Sequence, residues 1–215
     1  MEPQAVGPSR WSFDAAEWTT TSDCVAFGGD LEPGTIIDAY RNGAFPMPID
    51  GGLAWWSPIR RGILQPADFR WSRSLRRSAR RFTVTHDTDF VGVIEACADP
   101  SRTGAWIDDD IREAYVRLHE LGWAHSVETR DGDGALVGGL YGLQVGRLFA
   151  GESMFHRATD ASKVALGALA ALQPDGLIDV QWNTRHLASL GVTEVDRQEY
   201  LRRIAGLVDE PPPSW

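Results

Sequence analysis

Cysteine is almost missing from this chain. The two present, Cys24 and Cys97, lie far apart and make no CxxC pair, which argues against a disulfide framework and a structural zinc site. A reducing cytoplasm fits such cysteine use best. Long apolar runs are missing too, for no stretch approaches the roughly 18 residues of a membrane-spanning helix. No basic region followed by an apolar core opens the chain, so no secretory signal is visible. His86, His119, His125, His156 and His186 lack HExxH spacing, and no metal site is expected among them. Phosphate-binding loops and dinucleotide fingerprints are absent. Gly138, Gly139 and Gly142 instead fall in a strand pattern, where glycine marks a bulge or a close approach. Gly151-Glu152-Ser153-Met154-Phe155 begins like a nucleophile elbow but lacks the closing glycine and the immediate turn into helix, so Ser153 is a poor nucleophile candidate.

What remains is a chain of 215 residues, 43% hydrophobic and 24% charged, which suits one domain and a small companion. Its net charge of −9 argues at first against a nucleic-acid partner, but the distribution matters more than the sum. Six arginines fall between Arg70 and Arg81, and no acidic residue lies between Asp68 and Asp87. Ser72 is placed to cap a helix running to about Arg81. On it Arg73, Arg76, Arg77, Arg80 and Arg81 fall at i, i+3, i+4, i+7 and i+8, one stripe opposite Leu75, Ala79 and Phe82. Like charges on one stripe repel, and phosphates offset that by bidentate pairing and counterion release. The blander alternative is a solvated face with acidic neighbours from elsewhere in the fold. No base-reading motif accompanies the stripe, which favours recognition of backbone or shape.

The first sixty residues, rich in Gly, Pro and Trp, read as a small N-terminal module with one helix around Pro33–Asn42 closed by Gly43. A main domain follows over residues 61–208, and residues 209–215 are expected to form a disordered tail; residues 1 to about 11 look equally loose. Helices are expected over Thr88–Cys97 and Asp108–Leu121, then strands Ala124–Thr129, Ala135–Leu143 and Arg147–Gly151, with Asp131 to Gly134 as a hairpin turn. Helix Ala161–Leu172, strand Leu177–Gln181, helix Thr184–Leu190, strand Val192–Val195 and a last helix near Gln198–Leu207 complete the pattern. A meander followed by alternating helices and strands implies an α+β fold with a mixed sheet.

An ordered set of segments then resembles the leucyl/phenylalanyl-tRNA–protein transferase family. They begin with Gly28-Gly29-Asp30-Leu31, Ala39-Tyr40-Arg41 through Phe45-Pro46, Trp55-Trp56-Ser57-Pro58 and Ser72-Arg73-Ser74-Leu75. Trp106-Ile107 and Ala124-His125-Ser126-Val127-Glu128 follow, then LVGGLYG from Leu136 to Gly142 and GESMF from Gly151 to Phe155. Ala161-Ser162-Lys163, Ile178-Asp179-Val180-Gln181 and Ser189-Leu190-Gly191 close the series. The resemblance implies a small N-terminal domain plus a GNAT-like (N-acetyltransferase-like) mixed-sheet domain. It implies transfer of Leu or Phe, and less often Met, from aminoacyl-tRNA to proteins beginning with Arg or Lys, which marks them for N-end-rule degradation. It implies no metal and no coenzyme, because the aminoacyl ester is already activated.

The chemistry is attack of an α-amine on an ester carbonyl. That amine has a pKa of about 7.7–8.0, so part of it is neutral near pH 7, and positioning supplies much of the acceleration. Asp179 and Gln181 stand at i, i+2 of one strand, so both are expected on one face, with Ile178 and Val180 on the other. The resemblance implicates that pair in handling the acceptor amine; glutamine is too weak a base, so Gln181 is assigned to positioning and Asp179 to an electrostatic or relay role. Their alternative is a buried polar pair fixing the strand end. Glu152 is the candidate partner of the cationic acceptor. Leu140, Phe149, Ile178 and Met154 are candidates for the aminoacyl pocket, though such residues are also ordinary core. Trp106 is a candidate for stacking on the terminal adenosine.

Two departures from the family pattern stand out. Met47 follows Phe45-Pro46 where the family carries a Trp lining the donor site, and it is adaptable but a poorer stacking surface. Val180 replaces a common Cys at a position expected to face away from the site. The competing enzyme reading is an acyl-CoA-dependent N-acetyltransferase. That fold binds pyrophosphate on a Gly-rich turn, whereas His156 to Ala161 contains no glycine and places Asp160 at the helix start. A non-catalytic RNA-binding module would explain the arginines but not Asp179, Gln181 and Glu152.

Overall fold

Prolines and glycines punctuate the N-terminal module, yet strands form between them. The structure, a computed structural model, describes residues 2–215 other than 103 and 105. β1 (Cys24–Phe27), β2 (Phe45–Ile49) and β3 (Gly52–Trp56) make an antiparallel sheet in the order β1-β3-β2. Only α1 (Pro33–Arg41) is anticipated there from sequence. The strands are too short to show alternation, and β2 carries Pro46 and Pro48, tolerated because it lies at the sheet edge. Phe13, Ile36, Tyr40, Phe45 and Trp55 share one buried cluster with Tyr115, Tyr141 and Leu148, so the module packs through a common core.

The second sheet contains β4 (Arg60–Leu64), β5 (Thr83–His86), β6 (Ala124–Arg130), β7 (Leu136–Val145), β8 (Leu148–His156), β9 (Leu177–Gln181) and β10 (Thr193–Asp196). Its order is β10-β4-β9-β8-β7-β6-β5, with β8 and β9 parallel and the other neighbours antiparallel. The fold is therefore α+β with a mixed sheet. The Asp131–Gly134 turn joins β6 to β7 as the sequence predicts. Strand alternation sorts side chains to two faces. Tyr141 and Ala150 join the cluster under α1, α3 (Phe90–Ala98), α4 (Asp109–Glu120) and α7 (Arg197–Ala205). Val127, Leu140, Phe149 and Ile178 join the cluster under α2 (Arg73–Ala79), α5 (Ala161–Leu172) and α6 (Arg185–Ser189).

Glycines on β7 permit this packing. A Cβ on Gly138 would lie 2.5 Å from that of Ala161 and hold α5 away; one on Gly142 would lie 2.5 Å from the Phe149 ring. The segments expected to be loose are held down. Gln4 donates its backbone N–H to Leu121, and Trp215 stacks on His125 with centroids 4.2 Å apart and planes within 3°. A single indole supplies enough apolar surface to anchor an otherwise proline-rich tail. Among the described residues no helix is long and apolar enough to cross a membrane.

Candidate active site

The strands β8 and β9 stay together only briefly, pairing from Leu148 to Ala150 against Leu177 to Asp179. Past that point β8 continues to His156, while β9 ends at Gln181 and pairs with β4 on its other side. A bulge on β8 places Ser153 opposite Tyr141 and Gly151 opposite Gly142, leaving Glu152 unpaired and redirected. Where the strands part lies a cavity of about 250 Å³. Leu140, Met154, Leu166, Leu169, Ile178, Val180 and Leu187 give it apolar walls, and Glu152, Ser153, Gln181, Thr184 and His186 add polar groups.

Leu140, Met154 and Ile178 thus line one cavity, as expected of an aminoacyl pocket. Phe149 does not. It pairs with Ile178 but its ring fills the space over Gly142 and packs near Trp215. Met47 also lies outside the lining, opposite Ala54 in the module's sheet. Val180, expected to face away, is part of the wall. The alternation argument fails at the end of β9 because Gln181 adopts φ +57°, a left-handed conformation that redirects its side chain. Gln181 enters the cavity lining and Asp179 does not.

Asp179 is fully buried and its carboxylate is saturated. Arg61 donates Nε to Oδ1 at 2.8 Å and Nη2 to Oδ2 at 2.5 Å; Tyr200 donates its hydroxyl at 2.9 Å, and the backbone N–H of Gln181 does so at 2.9 Å. Burial works against the Arg61 charge, but Asp179 beside it holds the guanidinium pKa above its ordinary value. Arg61 also lies over the rings of Tyr200 and Phe45 and donates to the Gly43 carbonyl. Such an ion pair tolerates neither partner alone, since removal of one leaves a buried charge.

Glu152 stands between this anchor and the cavity. Tyr40 donates its hydroxyl to Oε1 at 2.6 Å, and Gln181 donates Nε2 to the same oxygen at 3.4 Å. The Tyr40 and Tyr115 hydroxyls are 2.6 Å apart, so with Tyr40's proton given to Glu152, Tyr115 donates to Tyr40. Burial pushes the Glu152 carboxyl up to about 7; the Tyr40 hydrogen bond opposes this and the Asp179 charge adds to it. Burial and the Glu152 charge hold both tyrosines well above their ordinary pKa, so they remain donors. Sequence reasoning missed Arg61, Tyr115 and Tyr200 and quoted Tyr40 only within a motif. Their partners lie far off in the chain, and the one local signal is a pair of arginines, Arg60 and Arg61, opening an apolar strand.

The arginine stripe forms largely as predicted, although α2 ends at Ala79 with Arg80 as its cap. Ser72 caps it through Leu75 N–H, and Leu75 is buried. Arg73, Arg76, Arg77, Arg80 and Arg81 are exposed, and among the described residues none is in an ion pair. The nearest acidic neighbour from elsewhere in the fold is Asp160, close enough for the Arg81 charge to act on it but not in an ion pair with the stripe. Ser78 donates to Asp160 at 2.8 Å, tying α2 to the start of α5, whose Leu166 and Leu169 line the cavity. Stripe and cavity lie on the same side of the sheet. Trp106 lies just before α4, part-buried against the core of the opposite face.

A family model described as leucyl/phenylalanyl-tRNA protein transferase matches residues 63–205, and one described as its N-terminal domain matches residues 29–59. The chain belongs to the leucyl/phenylalanyl-tRNA protein transferase family. The two matched segments of this family are separated by residues 60–62, the start of β4, which include Arg61. A leucyl/phenylalanyl-tRNA–protein transferase of Azoarcus sp. (strain BH72) is 51% identical over 91% of this chain and 87% of its own length. Those of Aromatoleum aromaticum (53%, over 87% and 82%) and Pseudomonas entomophila (49%, over 89% and 88%) are similarly close. A solved conserved protein of unknown function from Bacteroides thetaiotaomicron overlaps 61% of this chain and 53% of its own at a TM-score of 0.43 and 13% identity.

Proposed function

We propose that the chain transfers Leu or Phe, and less often Met, from aminoacyl-tRNA to the N-terminal amine of proteins beginning with Arg or Lys, in the cytoplasm, marking them for N-end-rule degradation. The observation that carries this reading is the cavity where β8 and β9 part, with apolar walls and Glu152, a carboxyl that burial lifts to about 7, on its polar edge. The cavity takes the side chain of the donor amino acid. An apolar wall separates Leu, Phe and Met by only about 1–3 kcal/mol, in keeping with broad acceptance.

The amine lone pair attacks the ester carbon and an oxyanion forms. The proton lost by the resulting ammonium passes to Glu152 and then to the departing ribose oxygen as the C–O bond breaks. With a pKa near that of the α-amine, Glu152 both accepts and returns this proton without a large penalty. Gln181 shares Oε1 and orients the amine. Asp179 acts indirectly, by fixing the Gln181 backbone and by its charge on Glu152. The activated ester removes any need for a metal or coenzyme. The arginines of α2 take phosphates of the acceptor stem, and Trp106, just ahead of the helix carrying Tyr115, takes the terminal adenosine. We read the large sheet as N-acetyltransferase-like, a reading supported by the parallel pair that parts at the site.

The test is direct. Protein supplied with Leu-tRNA or Phe-tRNA labels an Arg- or Lys-starting peptide without coenzyme A; transfer from acetyl-CoA but not from charged tRNA overturns the reading.

A further inference from the structure

Glu152 belongs to the main domain, but its shortest hydrogen bond comes from the N-terminal module. There α1 turns Ile36, Ile37 and Tyr40 inward, and Tyr40 is buried. Its hydroxyl donates to Glu152 Oε1 at 2.6 Å, whereas the Gln181 amide stands at 3.4 Å. Tyr115 on α4, 2.6 Å behind, occupies the Tyr40 oxygen and leaves the Tyr40 proton for Glu152. Other groups face the carboxyl. Asp179 on β9 and Arg61 on β4 act on it in opposite senses and are paired with each other. The Tyr141 hydroxyl on β7 lies near enough to feel the Glu152 charge, yet it has no hydrogen-bond partner among the described residues.

At 2.6 Å the Tyr40 bond has the length of a charge-assisted O–H···O⁻ contact, and such a bond favours the ionised form of its acceptor. Both tyrosines hold their own protons firmly, so neither is the group that takes a proton from the amine. We propose that Tyr40, backed by Tyr115, is a positioning residue for transfer: it holds Glu152 toward the cavity and stabilises the carboxylate that receives the amine proton. The N-terminal module thereby sets the working pH of a carboxyl on the main domain. This rests on the transferase reading, in which Glu152 is the proton acceptor, and adds the group that fits it for that task.

Tyr40→Phe keeps the ring and removes the hydroxyl. The pH at which kcat rises is expected to move up by about one unit, the order of one hydrogen bond to a charged group. At pH near 7 kcat should then fall about fivefold, with little loss well above the limb and no change in KM for Phe-tRNA. Tyr115→Phe should move the limb the same way by less, and Tyr141→Phe should leave it in place. A limb unmoved in Tyr40→Phe, a loss of kcat equal at every pH, or an equal shift in Tyr141→Phe overturns the proposal. Infrared titration of the Glu152 carboxyl, identified as the band lost in Glu152→Gln, needs no turnover and so keeps the two readings apart. If no transfer occurs, an upward shift of that titration in Tyr40→Phe still supports the hold of Tyr40 on Glu152, and an unmoved one overturns it. Should Tyr40→Phe fail to fold, the same titration in Tyr115→Phe decides by the same signs.

Discussion

Arginine plays two opposite parts in this molecule. On α2 five arginines stand exposed with no acidic partner among the described residues, whereas Arg61 is fully buried and spends its guanidinium on Asp179 and the Gly43 carbonyl. The first arrangement costs little to change and is unbalanced until something anionic arrives. The second is balanced internally and expensive to disturb. Charge left unpaired points outward to a ligand; charge paired in the dark points inward to the fold, even beside an active site.

The hardest blow to this contrast is Asp179→Ala, expected to cost about 3–5 kcal/mol of stability by leaving Arg61 buried and unpaired. Urea denaturation measures it. Replacing both partners by apolar residues, Arg61→Met with Asp179→Leu, should recover much of that loss; an equally unstable double variant would show that the pair contributes more than mutual neutralisation.

Glu152→Gln comes next. It removes the proton acceptor and is expected to lower kcat about 100-fold. In wild-type protein kcat should rise as pH passes about 7 and Glu152 ionises, and the variant should lose that limb. Stability carries the opposite sign. The folded state holds the Glu152 proton more tightly than the unfolded chain, whose value is near 4.5, so ionisation weakens the fold between about 4.5 and 7, and Glu152→Gln should flatten that decline.

Arg76→Ala, Arg77→Ala and Arg80→Ala together should leave the melting temperature in place, weaken tRNA binding roughly tenfold or more, and reduce the salt slope by about 2–3. Unchanged binding would return the stripe to mere solvation. The smallest effect is expected of Met47→Trp, which restores an aromatic surface outside the cavity and should shift Phe-over-Leu use by about three- to tenfold at most.

How much of this could be read in advance followed the range of the interactions. The arginine stripe, Leu75 beneath it and the Ser72 cap involve residues within a few positions, so periodicity exposes them. Helix Ala161–Leu172 and strand Leu177–Gln181 have the bounds the pattern predicts, being long or bracketed by clear breaks. The β1–β3 sheet escaped because prolines and glycines mask its short strands; β1 pairs with a strand well along the chain, whereas β2 and β3 form a local hairpin across Asp50-Gly51. The Tyr40–Glu152 hydrogen bond spans 112 positions and the Arg61–Asp179 pair 118, beyond anything spacing can suggest. The error over Asp179 and Gln181 had a local cause, one left-handed residue that broke the alternation on which the inference stood.

The parting of β8 from β9 has a consequence beyond making room. A closed sheet is a wall, and whatever lies on one side is screened from the other. Here the wall has a slot, with aliphatic side chains on one side and the Tyr40 hydroxyl, backed by that of Tyr115, reaching Glu152 from the other. A molecule lodged in the slot is addressed from both sides at once, by apolar side chains on one bank and by a hydrogen-bonded carboxyl on the other. Sorting shape and charge onto opposite banks lets each be altered without rebuilding its counterpart.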